Sequence, residues 1–454
     1  MEISDYIKAK APVFLVGIGG ISMSSLADLL RLRGIPVKGS DMQESPAVEA
    51  LRKKGIEVFI GHAAEHIEGV AYVIRTAAVH EDNPEIAAAR AEGIPVFERA
   101  EGWGAIMAEH GASLCIAGTH GKSTTTSMAV QIALEAQIDV TAMIGADLPG
   151  VGSHRVGDGS LIVAESCEYM GSFLHFKPTV AVVLNIEEDH LDYYSGIEEI
   201  KAAFRKFCEL TPKEGTVVLN ADDPETMAMA EGLDRHIVTF GIESEDATVR
   251  AENLTCEKGC WSFDAVHPGG LIPVSLSIPG RHNVQNALAA VAAMLAAGAD
   301  GIAISRGLSA FRGAARRFEY KGNFRGAVLY DDYAHHPSEL RALFATARDC
   351  GYKRIIAVFQ PHTYSRTKAL FSDFAEVLRE PDLTILLPIY AAREQDDGTV
   401  SSGMLAAVAG CKAMDFDEAA EYLRGELGEG DLLLTVGAGV AYKVADALLK
   451  ETEQ

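Results

Sequence analysis

The chain has 454 residues, which at about 150 residues per domain predicts about three domains. Hydrophobic residues make up 48% of it and charged residues 23%, a composition that is ordinary for a globular enzyme and excludes a largely disordered chain. The formal net charge of −24 disfavours partners such as nucleic acid or an anionic membrane surface.

The N-terminus and the cysteines predict a cytoplasmic protein. The first residues lack a basic segment followed by an apolar one, so no signal peptide is expected. No apolar run is long enough to span a bilayer, so no membrane partner is expected either. Seven cysteines is an odd and sparse count, which fits free thiols better than a disulfide framework.

Residues 12–100 alternate between short apolar runs and helical stretches, which predicts a parallel sheet with helices on both faces. The predicted strands are 12–16, a strand at Val37, 56–60 and 72–74. A glycine-rich turn follows the first strand, and its residues are Gly17, Gly19, Gly20, Ile21 and Ser22.

This first turn resembles a dinucleotide fingerprint, although Ser22 stands at the third glycine position. Asp41 follows about twenty residues later, as the ribose-binding acid of such a motif does. The turn predicts a pyrophosphate site at a helix N-terminus, and NAD or a UDP-sugar would satisfy it equally well.

A second α/β region carries the strongest signal in the chain. The strand 113–117 leads into Gly118-Thr119-His120-Gly121-Lys122-Ser123-Thr124, and a helix follows. Glycines let backbone N–H groups approach phosphate oxygens, Lys122 places a cation at the β- and γ-phosphates, and the Ser123 hydroxyl suits Mg²⁺. Ile116 occupies the position of the usual first glycine, so the loop is a shortened variant. Ordinary capping of a helix is the alternative, which the strand-loop-helix context disfavours.

Polar residues at the ends of two further strands predict metal ligands. Glu165 ends the strand 161–164, and His190 follows the strand 180–184. A Mg·ATP site needs hard ligands besides the loop hydroxyl, and side chains at the carboxyl ends of parallel strands face one edge of the sheet. The alternative interpretation is that both residues are polar surface residues in loops.

Short alternating segments between residues 237 and 279 predict small antiparallel strands. Lys258-Gly259 is typical of a hairpin turn, an interpretation we favour over a zinc site at Cys256 and Cys260 because no second cysteine pair is nearby. Asn283 and Asn286 lie at the start of an alanine-rich helix at 284–297, on one face of it, where both could contact an adenine edge; capping of the helix by Asn283 is the alternative.

A third region begins near Arg316, with predicted strands at 328–330, 355–359, 383–387 and 432–434. Two polar segments follow the first two of these strands, Asp331-Asp332-Tyr333-Ala334-His335-His336-Pro337 and Gln360-Pro361-His362-Thr363-Tyr364-Ser365-Arg366-Thr367. The expected domains are therefore 1–105, 106–315 and 316–454.

Together these motifs resemble those of the Mur ligases, which activate a carboxylate with ATP and couple it to an amine. The resemblance implies an α/β fold of three domains: a Rossmann-like UDP-binding domain, a P-loop ATPase-like domain with small inserted strands, and a Rossmann-like C-terminal domain. It is strongest to the members that add L-alanine to UDP-N-acetylmuramate through an acyl phosphate.

The resemblance also implies a role for each matching residue. The UDP-sugar would be bound by Gly17, Gly19, Gly20, Ile21, Ser22, Ser40, Asp41 and Thr76. ATP would be bound by residues 118–124 together with Asn283, Asn286, Arg317 and Asp332. The Mg²⁺ ligands would be Ser123, Glu165 and His190, and the catalytic residues Lys122, Asn185, His190, Arg317, His335 and Arg366. Tyr333, His335 and Arg366 would contact the amino acid.

This chain departs from the family pattern at several positions. It has Glu165-Ser166-Cys167-Glu168-Tyr169 where many relatives have Glu-Ala-Asp-Glu-Ser, which leaves the role of Glu168 open. Thr363 replaces a second arginine, so carboxylate recognition would depend on Arg366 alone, and Val440 replaces an aspartate. No carbamylated lysine is assigned.

The expected protein is thus an ATP- and Mg²⁺-dependent ligase, a monomer or weak homodimer, with UDP-N-acetylmuramate and L-alanine as substrates. The alternatives are a ligase that reattaches a recycled peptide to the same sugar nucleotide, a P-loop kinase or ATPase, a nicotinamide oxidoreductase, and a non-catalytic UDP-sugar-binding or scaffold protein.

Overall fold

The structure is a computed structural model that describes residues 1–76, 79–191, 193–392 and 394–450. Residues 451–454 of the expected third domain lie outside this part of the chain. The chain divides into two compact units: the first contains residues 1–186, 200–239 and 289–304, and the second contains the remaining described residues. No helix in the described part is both long and apolar enough to cross a membrane.

The first unit begins with a parallel five-stranded sheet in the order β3-β2-β1-β4-β5. Its strands are β1 (Val13–Val16), β2 (Val37–Asp41), β3 (Glu57–Ile60), β4 (Tyr72–Arg75) and β5 (Val96–Glu98). Its helices are α1 (Ile3–Lys8), α2 (Ile21–Leu32), α3 (Pro46–Lys53), α4 (Pro84–Glu92) and α5 (Arg99–Met107), with a 3₁₀ helix at Ala64–Ile67. All four residues of the central strand β1 are buried, as expected for a strand covered on both faces.

A second sheet in this unit has the strand order β12-β11-β10-β6-β9-β7-β8. The strands are β6 (Ala112–Ala117), β7 (Thr141–Leu148), β8 (Gly152–Arg155), β9 (Leu161–Glu165), β10 (Val180–Val183), β11 (Thr216–Asn220) and β12 (His236–Gly241). The helices are α6 (Lys122–Glu135), α7 (Ile197–Glu209) and α8 (Pro224–Met229), with a 3₁₀ segment at Tyr169–His175. Because β6 pairs in parallel with β9 and β10, the carboxyl ends of these three strands lie at one edge of the sheet.

The second unit contains an antiparallel group of strands, β13 (Val249–Glu257), β14 (Cys260–His267) and β15 (Gly270–Pro279). It also contains a six-stranded sheet in the order β16-β17-β21-β18-β19-β20, parallel except for β16. These strands are β16 (Glu319–Phe324), β17 (Ala327–Asp332), β18 (Arg354–Phe359), β19 (Leu383–Leu386), β20 (Lys412–Ala413) and β21 (Asp431–Val436).

Eight helices complete the fold, and two apolar clusters cover the two faces of the six-stranded sheet. The helices are α9 (His282–Ala296), α10 (Gly301–Ala310), α11 (Pro337–Asp349), α12 (Tyr364–Ala369), α13 (Phe371–Val377), α14 (Ser402–Ala409), α15 (Phe416–Glu426) and α16 (Tyr442–Leu449).

Four helices begin in the same way, with a polar N-cap followed by proline. The pairs are Ser45-Pro46, Asn83-Pro84, Asp223-Pro224 and His336-Pro337, and each N-cap side chain accepts a backbone N–H of the first turn. Proline suits the first helical position because its fixed φ is helical and the N–H it lacks would have no partner within the helix.

The structure confirms the α/β class and the strands predicted from apolar runs. The turn at Lys258-Gly259 is confirmed too, because β13 ends at Glu257 and β14 begins at Cys260. Sequence reasoning missed α1, β5, the β7–β8 hairpin, β11, β16 and β20. β8 and β16 are mostly polar, and Gly145 interrupts the apolar residues of β7, so these three strands show neither a sustained apolar run nor a clear alternation.

A glycine in α5 provides a test of this packing. A Cβ at Gly104 would collide with the backbone carbonyl of His175, whereas a Cβ at Gly102 would meet the end of the Leu26 side chain. We expect Gly104→Ala to lower the free energy of unfolding by about 1–3 kcal/mol, because backbone cannot move aside as a side chain can. Urea unfolding, with Gly102→Ala as the matched control, measures the difference, and equal midpoints for both variants would contradict the packing.

Candidate functional site

The phosphate loop joins β6 to α6, and two of its glycines are required by conformation. Gly118 has a φ of 145° and Gly121 a φ of 81°, both in the region that favours glycine. A Cβ at Gly118 would lie 2.9 Å from Cβ of Leu184, so the loop can pass this close to β10 only without a side chain there. The backbone therefore turns sharply into the N-terminus of α6.

Asn185, two residues past the end of β10, both donates hydrogen bonds to the loop backbone and accepts them from it. Its Oδ1 accepts the His120 N–H at 2.7 Å and its Nδ2 donates to the His120 carbonyl at 3.2 Å. Its own carbonyl accepts the Thr119 N–H at 3.1 Å. These three hydrogen bonds fix the loop against the neighbouring strand.

Lys122 is held at the base of the loop. Its Nζ donates to the carbonyls of Gly118 and Thr119 and lies 3.0 Å from Oε2 of Glu168. Burial lowers the pKa of this ammonium, but the negative charge of Glu168 outweighs burial and holds the pKa above its ordinary value. Lys122 therefore remains a cation throughout the physiological range.

Glu165 and Ser123 lie beside the loop as predicted, and Glu168 joins them. Glu165 ends β9, and its Oε2 accepts the Gly145 N–H at 2.9 Å, an approach that a side chain at Gly145 would block. Ser123 is buried in the first turn of α6. Glu168, whose role the sequence left open, is buried against Lys122. The two residues are 46 positions apart, so no local sequence motif predicts their ion pair.

The first glycine turn is also built from backbone hydrogen bonds. The N–H groups of Gly17 and Ile18 both donate to the Ser40 carbonyl at 2.9 Å, and the Gly19 N–H donates to Oδ2 of Asp41 at 2.8 Å. Gly20 then precedes α2, whose first residue, Ile21, is exposed.

The side chains predicted around this turn have different environments. The Ser22 hydroxyl accepts the Trp103 indole N–H at 3.0 Å and donates to Sδ of Met143 at 3.3 Å. Ser40 is fully buried and its hydroxyl donates to Glu85. Thr76 follows β4, and its methyl group fills the space that a side chain at Gly17 would need.

In the second unit, Asn283 and Asn286 lie in the first turns of α9. Asn283 Nδ2 donates to the Pro279 carbonyl at 2.7 Å, and Asn286 Nδ2 donates to Oδ1 of Asn283 at 3.0 Å. Both side chains are buried and linked to each other, which places them on one helical face as the spacing predicted.

Asp332 is the last residue of β17, and the Arg317 guanidinium acts on its carboxylate. Both carboxylate oxygens of Asp332 accept backbone N–H groups, from Phe318 at 2.7 Å and from Ala334 at 2.8 Å. Burial raises the pKa of Asp332 to about 6, although the Arg317 guanidinium opposes this shift. The guanidinium groups of Arg316 and Arg317 lie 4.9 and 5.1 Å from the centre of the Tyr333 ring.

Arg366 is paired with a carboxylate of the same unit. Its Nη2 and Nε lie 2.8 and 3.1 Å from Oδ1 of Asp189, and only about a tenth of either side chain is exposed. Burial alone would raise the pKa of Asp189, but the charge of Arg366 holds it well below its ordinary range. Sequence reasoning missed Asp189, which lies 177 positions before Arg366.

Histidines surround this ion pair. Burial lowers the pKa of His335 to about 4 and that of His362 to about 3, so both imidazoles are neutral at pH 7. His335 Nδ1 lies 3.0 Å from the Tyr333 carbonyl, and the rings of His335 and His362 are 5.9 Å apart between centroids. His190 follows Asp189 directly, and its backbone N–H donates to Oδ1 of Asp189 at 2.8 Å.

The structure therefore brings the predicted residues together in separate groups. The first unit contains the glycine turn at 17–22 and, around the phosphate loop, Lys122, Ser123, Glu165 and Asn185. The second unit contains the adenine candidates and, in another group, His190, Tyr333, His335 and Arg366. The seven cysteines, all in the described part of the chain, are free thiols.

Family models match most of the chain. The Mur ligase family catalytic domain matches residues 12–110, the Mur ligase middle domain residues 116–294, and the Mur ligase glutamate ligase domain residues 316–439.

Two curated relatives and two solved structures show the extent of the similarity. The UDP-N-acetylmuramate–L-alanine ligase of Caldanaerobacter subterraneus is 44% identical over 451 residues, covering 97% of this chain and 98% of the relative. The corresponding ligase of Clostridium novyi is 44% identical over 446 residues, covering 96% of this chain and 97% of the relative. The UDP-N-acetylmuramate–alanine ligase of Thermotoga maritima superposes with a TM-score of 0.81 at 28% identity, covering 98% of this chain and 99% of that one. The murein peptide ligase of Psychrobacter arcticus has a TM-score of 0.73 at 22% identity, covering 97% of this chain and 98% of that one, which shows the same fold.

The hydrogen bonds of Asn185 predict a loss of nucleotide affinity on truncation. Asn185→Ala removes both side-chain bonds to residue 120, and we expect the Kd for ATP to rise about tenfold, since roughly 1.4 kcal/mol of preorganisation is lost. Calorimetric titration with ATP measures the change.

Thr179→Ala is the matched control for this variant, because the Thr179 hydroxyl bonds Ser113 at the opposite end of β6. An ATP affinity that falls equally in both variants would contradict a specific role for Asn185.

The lowered pKa of His335 predicts an acid-sensitive fold. A histidine whose pKa is about 4 in the folded chain and about 6.5 unfolded stabilises the fold above pH 6.5, and this contribution is lost as the pH falls toward 4. The loss from this residue between pH 7 and pH 5 is about 2 kcal/mol. His335→Gln should therefore lose less stability than wild type over that interval in urea unfolding, and identical losses would contradict the shift.

Proposed function

Because the chain belongs to the Mur ligase family, whose members are ATP-dependent ligases, we propose that it joins L-alanine to the lactyl carboxylate of UDP-N-acetylmuramate. The observation that carries the proposal is its similarity to curated L-alanine ligases over 97% of its length. The products would be UDP-N-acetylmuramoyl-L-alanine, ADP and phosphate, a step in peptidoglycan precursor synthesis.

The proposed chemistry begins at the phosphate loop. A carboxylate is a poor acyl donor, so the terminal phosphoryl of ATP is transferred to it and gives an acyl phosphate. Gly118, Thr119, His120, Gly121 and Thr124 supply the loop and helix N-terminus for the phosphates, and Lys122 places its cation there. Asn185 keeps the loop in shape, as its bonds to Thr119 and His120 support.

Mg²⁺ is the proposed metal cofactor, and the donor set around the loop fits it. The Ser123 hydroxyl and the Glu165 carboxylate are hard oxygen donors of the kind that Mg²⁺ prefers, and His190 is the third ligand that the family resemblance implies. The ion would supply positive charge to the phosphates during transfer. Glu168, buried beside Lys122, adds a further carboxylate to this environment.

The remaining ATP contacts are proposed for the second unit. Asn283 and Asn286 offer the donors and acceptors that an adenine edge needs. Asp332 would bind the ribose, and the forked guanidinium of Arg317 would contact the phosphates.

The amino acid would bind near Arg366. Its guanidinium would pair with the carboxylate of alanine, with Tyr333 beside it, and the neutral His335 can accept a proton from the attacking amine. Asp189 keeps Arg366 in place through their ion pair. The amine attacks the acyl phosphate, a tetrahedral intermediate forms, and phosphate leaves.

The UDP part of the substrate would occupy the first glycine turn, with Gly17, Gly19, Gly20, Ile21 and Ser22 at the pyrophosphate, and with Asp41, Ser40 and Thr76 around it. The proposed domains are 1–105, 106–315 and 316–454, and the proposed oligomeric state is a monomer or weak homodimer. We propose that the reaction takes place in the cytoplasm, where ATP is available.

Lys122→Ala tests the ATP site. We expect ligation to fall at least about a thousandfold because charge on the transferring phosphoryl is no longer offset, while UDP-N-acetylmuramate still binds. Phosphate release and a UDP-sugar titration measure the two properties, with the exposed Lys213→Ala as control. Wild-type turnover in Lys122→Ala would overturn the assignment.

One assay separates the proposed ligase from two alternatives, the peptide-recycling ligase and the ATPase. Phosphate release is measured with UDP-N-acetylmuramate against L-alanine, glycine, L-serine and a tripeptide. Release that needs L-alanine supports the proposal, whereas release that needs the tripeptide would indicate the recycling ligase, and release without any amine an ATPase.

A further inference from the structure

A buried carboxylate in helix α4 contacts three polar side chains. Glu85 in α4 has no exposed surface, and its Oε2 accepts the Ser40 hydroxyl at 2.7 Å. His62 Nδ1 lies 2.8 Å from the same oxygen, and His66 Nδ1 lies 2.8 Å from Oε1. Both carboxylate oxygens of Glu85 therefore have a polar partner within hydrogen-bond distance.

The cluster is rigidly held. The His66 ring stacks on Phe59, with centroids 4.1 Å apart and planes inclined by 8°. The Glu85 backbone N–H is bound by the N-cap side chain of Asn83 at 2.9 Å. Burying a carboxylate costs free energy unless its hydrogen bonds are satisfied. The role of this cluster therefore depends on the structural element that it keeps in position.

What it holds is Ser40, at the carboxyl end of β2. The Ser40 carbonyl accepts the N–H groups of both Gly17 and Ile18, the first two residues of the glycine turn. The next residue, Asp41, accepts the Gly19 N–H. The end of β2 therefore sets the backbone of the turn, and Glu85 sets the side chain of Ser40.

Space around the turn is too small for it to adjust independently. A Cβ at Gly39 would lie 2.5 Å from the Leu15 carbonyl oxygen, and one at Gly19 would lie 2.8 Å from Oδ2 of Asp41. A shift of β2 must therefore be transmitted to the turn and to the N-terminus of α2.

We propose that Glu85, with His62 and His66, forms a positioning cluster that fixes the glycine turn for the diphosphate of the nucleotide sugar. These residues act through Ser40 and do not touch the ligand. This inference rests on the proposed function, since it assigns the UDP group to the same turn.

Variants of His66 test the cluster with little disturbance. His66→Phe keeps an aromatic ring to stack on Phe59 but removes the hydrogen bond to Glu85, whereas His66→Asn keeps a donor near the Nδ1 position. We expect the KM for UDP-N-acetylmuramate and the Kd for UDP to rise about tenfold in His66→Phe and to recover in His66→Asn. The KM for ATP and kcat at saturation should stay within about twofold of wild type.

Glu85→Gln is the stronger variant, and Ile86→Ala is its control. Ile86 is the next residue of α4 and is fully buried, so truncating it destabilises the same helix without touching the cluster. If loss of stability alone were responsible, Ile86→Ala would raise the KM for the nucleotide sugar as much as Glu85→Gln does, and that result would overturn the inference.

The UDP titration separates this inference from the proposed function. A wild-type enzyme that ligates alanine, with unchanged UDP affinity in His66→Phe, overturns the positioning cluster and leaves the function intact. A wild-type chain that binds UDP but does not ligate overturns the function, while a tenfold loss of UDP affinity in His66→Phe still supports the cluster. A wild-type chain that binds no UDP overturns both.

Discussion

The proposed ATP site depends most on how the backbone of residues 118–121 is held at the carboxyl end of β6. A loop that binds phosphates needs a fixed backbone geometry, and a glycine-rich loop would not keep that geometry by itself. Asn185, just past the end of the neighbouring strand β10, supplies the restraint with its amide and its carbonyl. The parallel pairing of β6 and β10 brings Asn185 to this loop, so the sheet topology is itself part of the site.

Charge is organised locally in a chain that is strongly acidic overall. The formal net charge of −24 would repel a nucleotide, yet a largely buried cation lies at the proposed ATP-phosphate site and another at the proposed amino-acid site. Lys122 is held by Glu168 and Arg366 by Asp189, so each cation has a carboxylate beside it that orients it. Ligand anions would enter sites whose positive groups are already in position, which reduces the entropy lost on binding.

Much of this architecture could be predicted from the sequence. Apolar runs such as 13–16 and 355–359 identify central parallel strands because such strands are buried on both faces. The motif 118–124 identifies the phosphate loop because its glycines and lysine are adjacent in the chain. Edge strands such as β8 and β16 lack this signal, since one of their edges has no partner strand and their residues are polar.

The partners of the site residues were harder to predict. The pairs Lys122–Glu168, Asp189–Arg366 and Ser40–Glu85 span 45 to 177 positions of the chain, and no periodicity relates their members. Ser40 illustrates the same limit: the family resemblance implied a ligand contact, but its hydroxyl donates to the buried Glu85, and its carbonyl accepts hydrogen bonds from the turn. Such pairs are decided by tertiary packing, which a local motif does not encode.

The account's central claim is that the phosphate loop transfers the terminal phosphoryl of ATP onto a sugar-linked carboxylate. Labelling the lactyl carboxylate of UDP-N-acetylmuramate with oxygen-18 tests it most directly, with the released phosphate analysed by mass spectrometry after ligation of L-alanine. An acyl phosphate predicts that each phosphate carries one oxygen from the carboxylate. Phosphate that contains no label, released while the amide forms, would contradict the account.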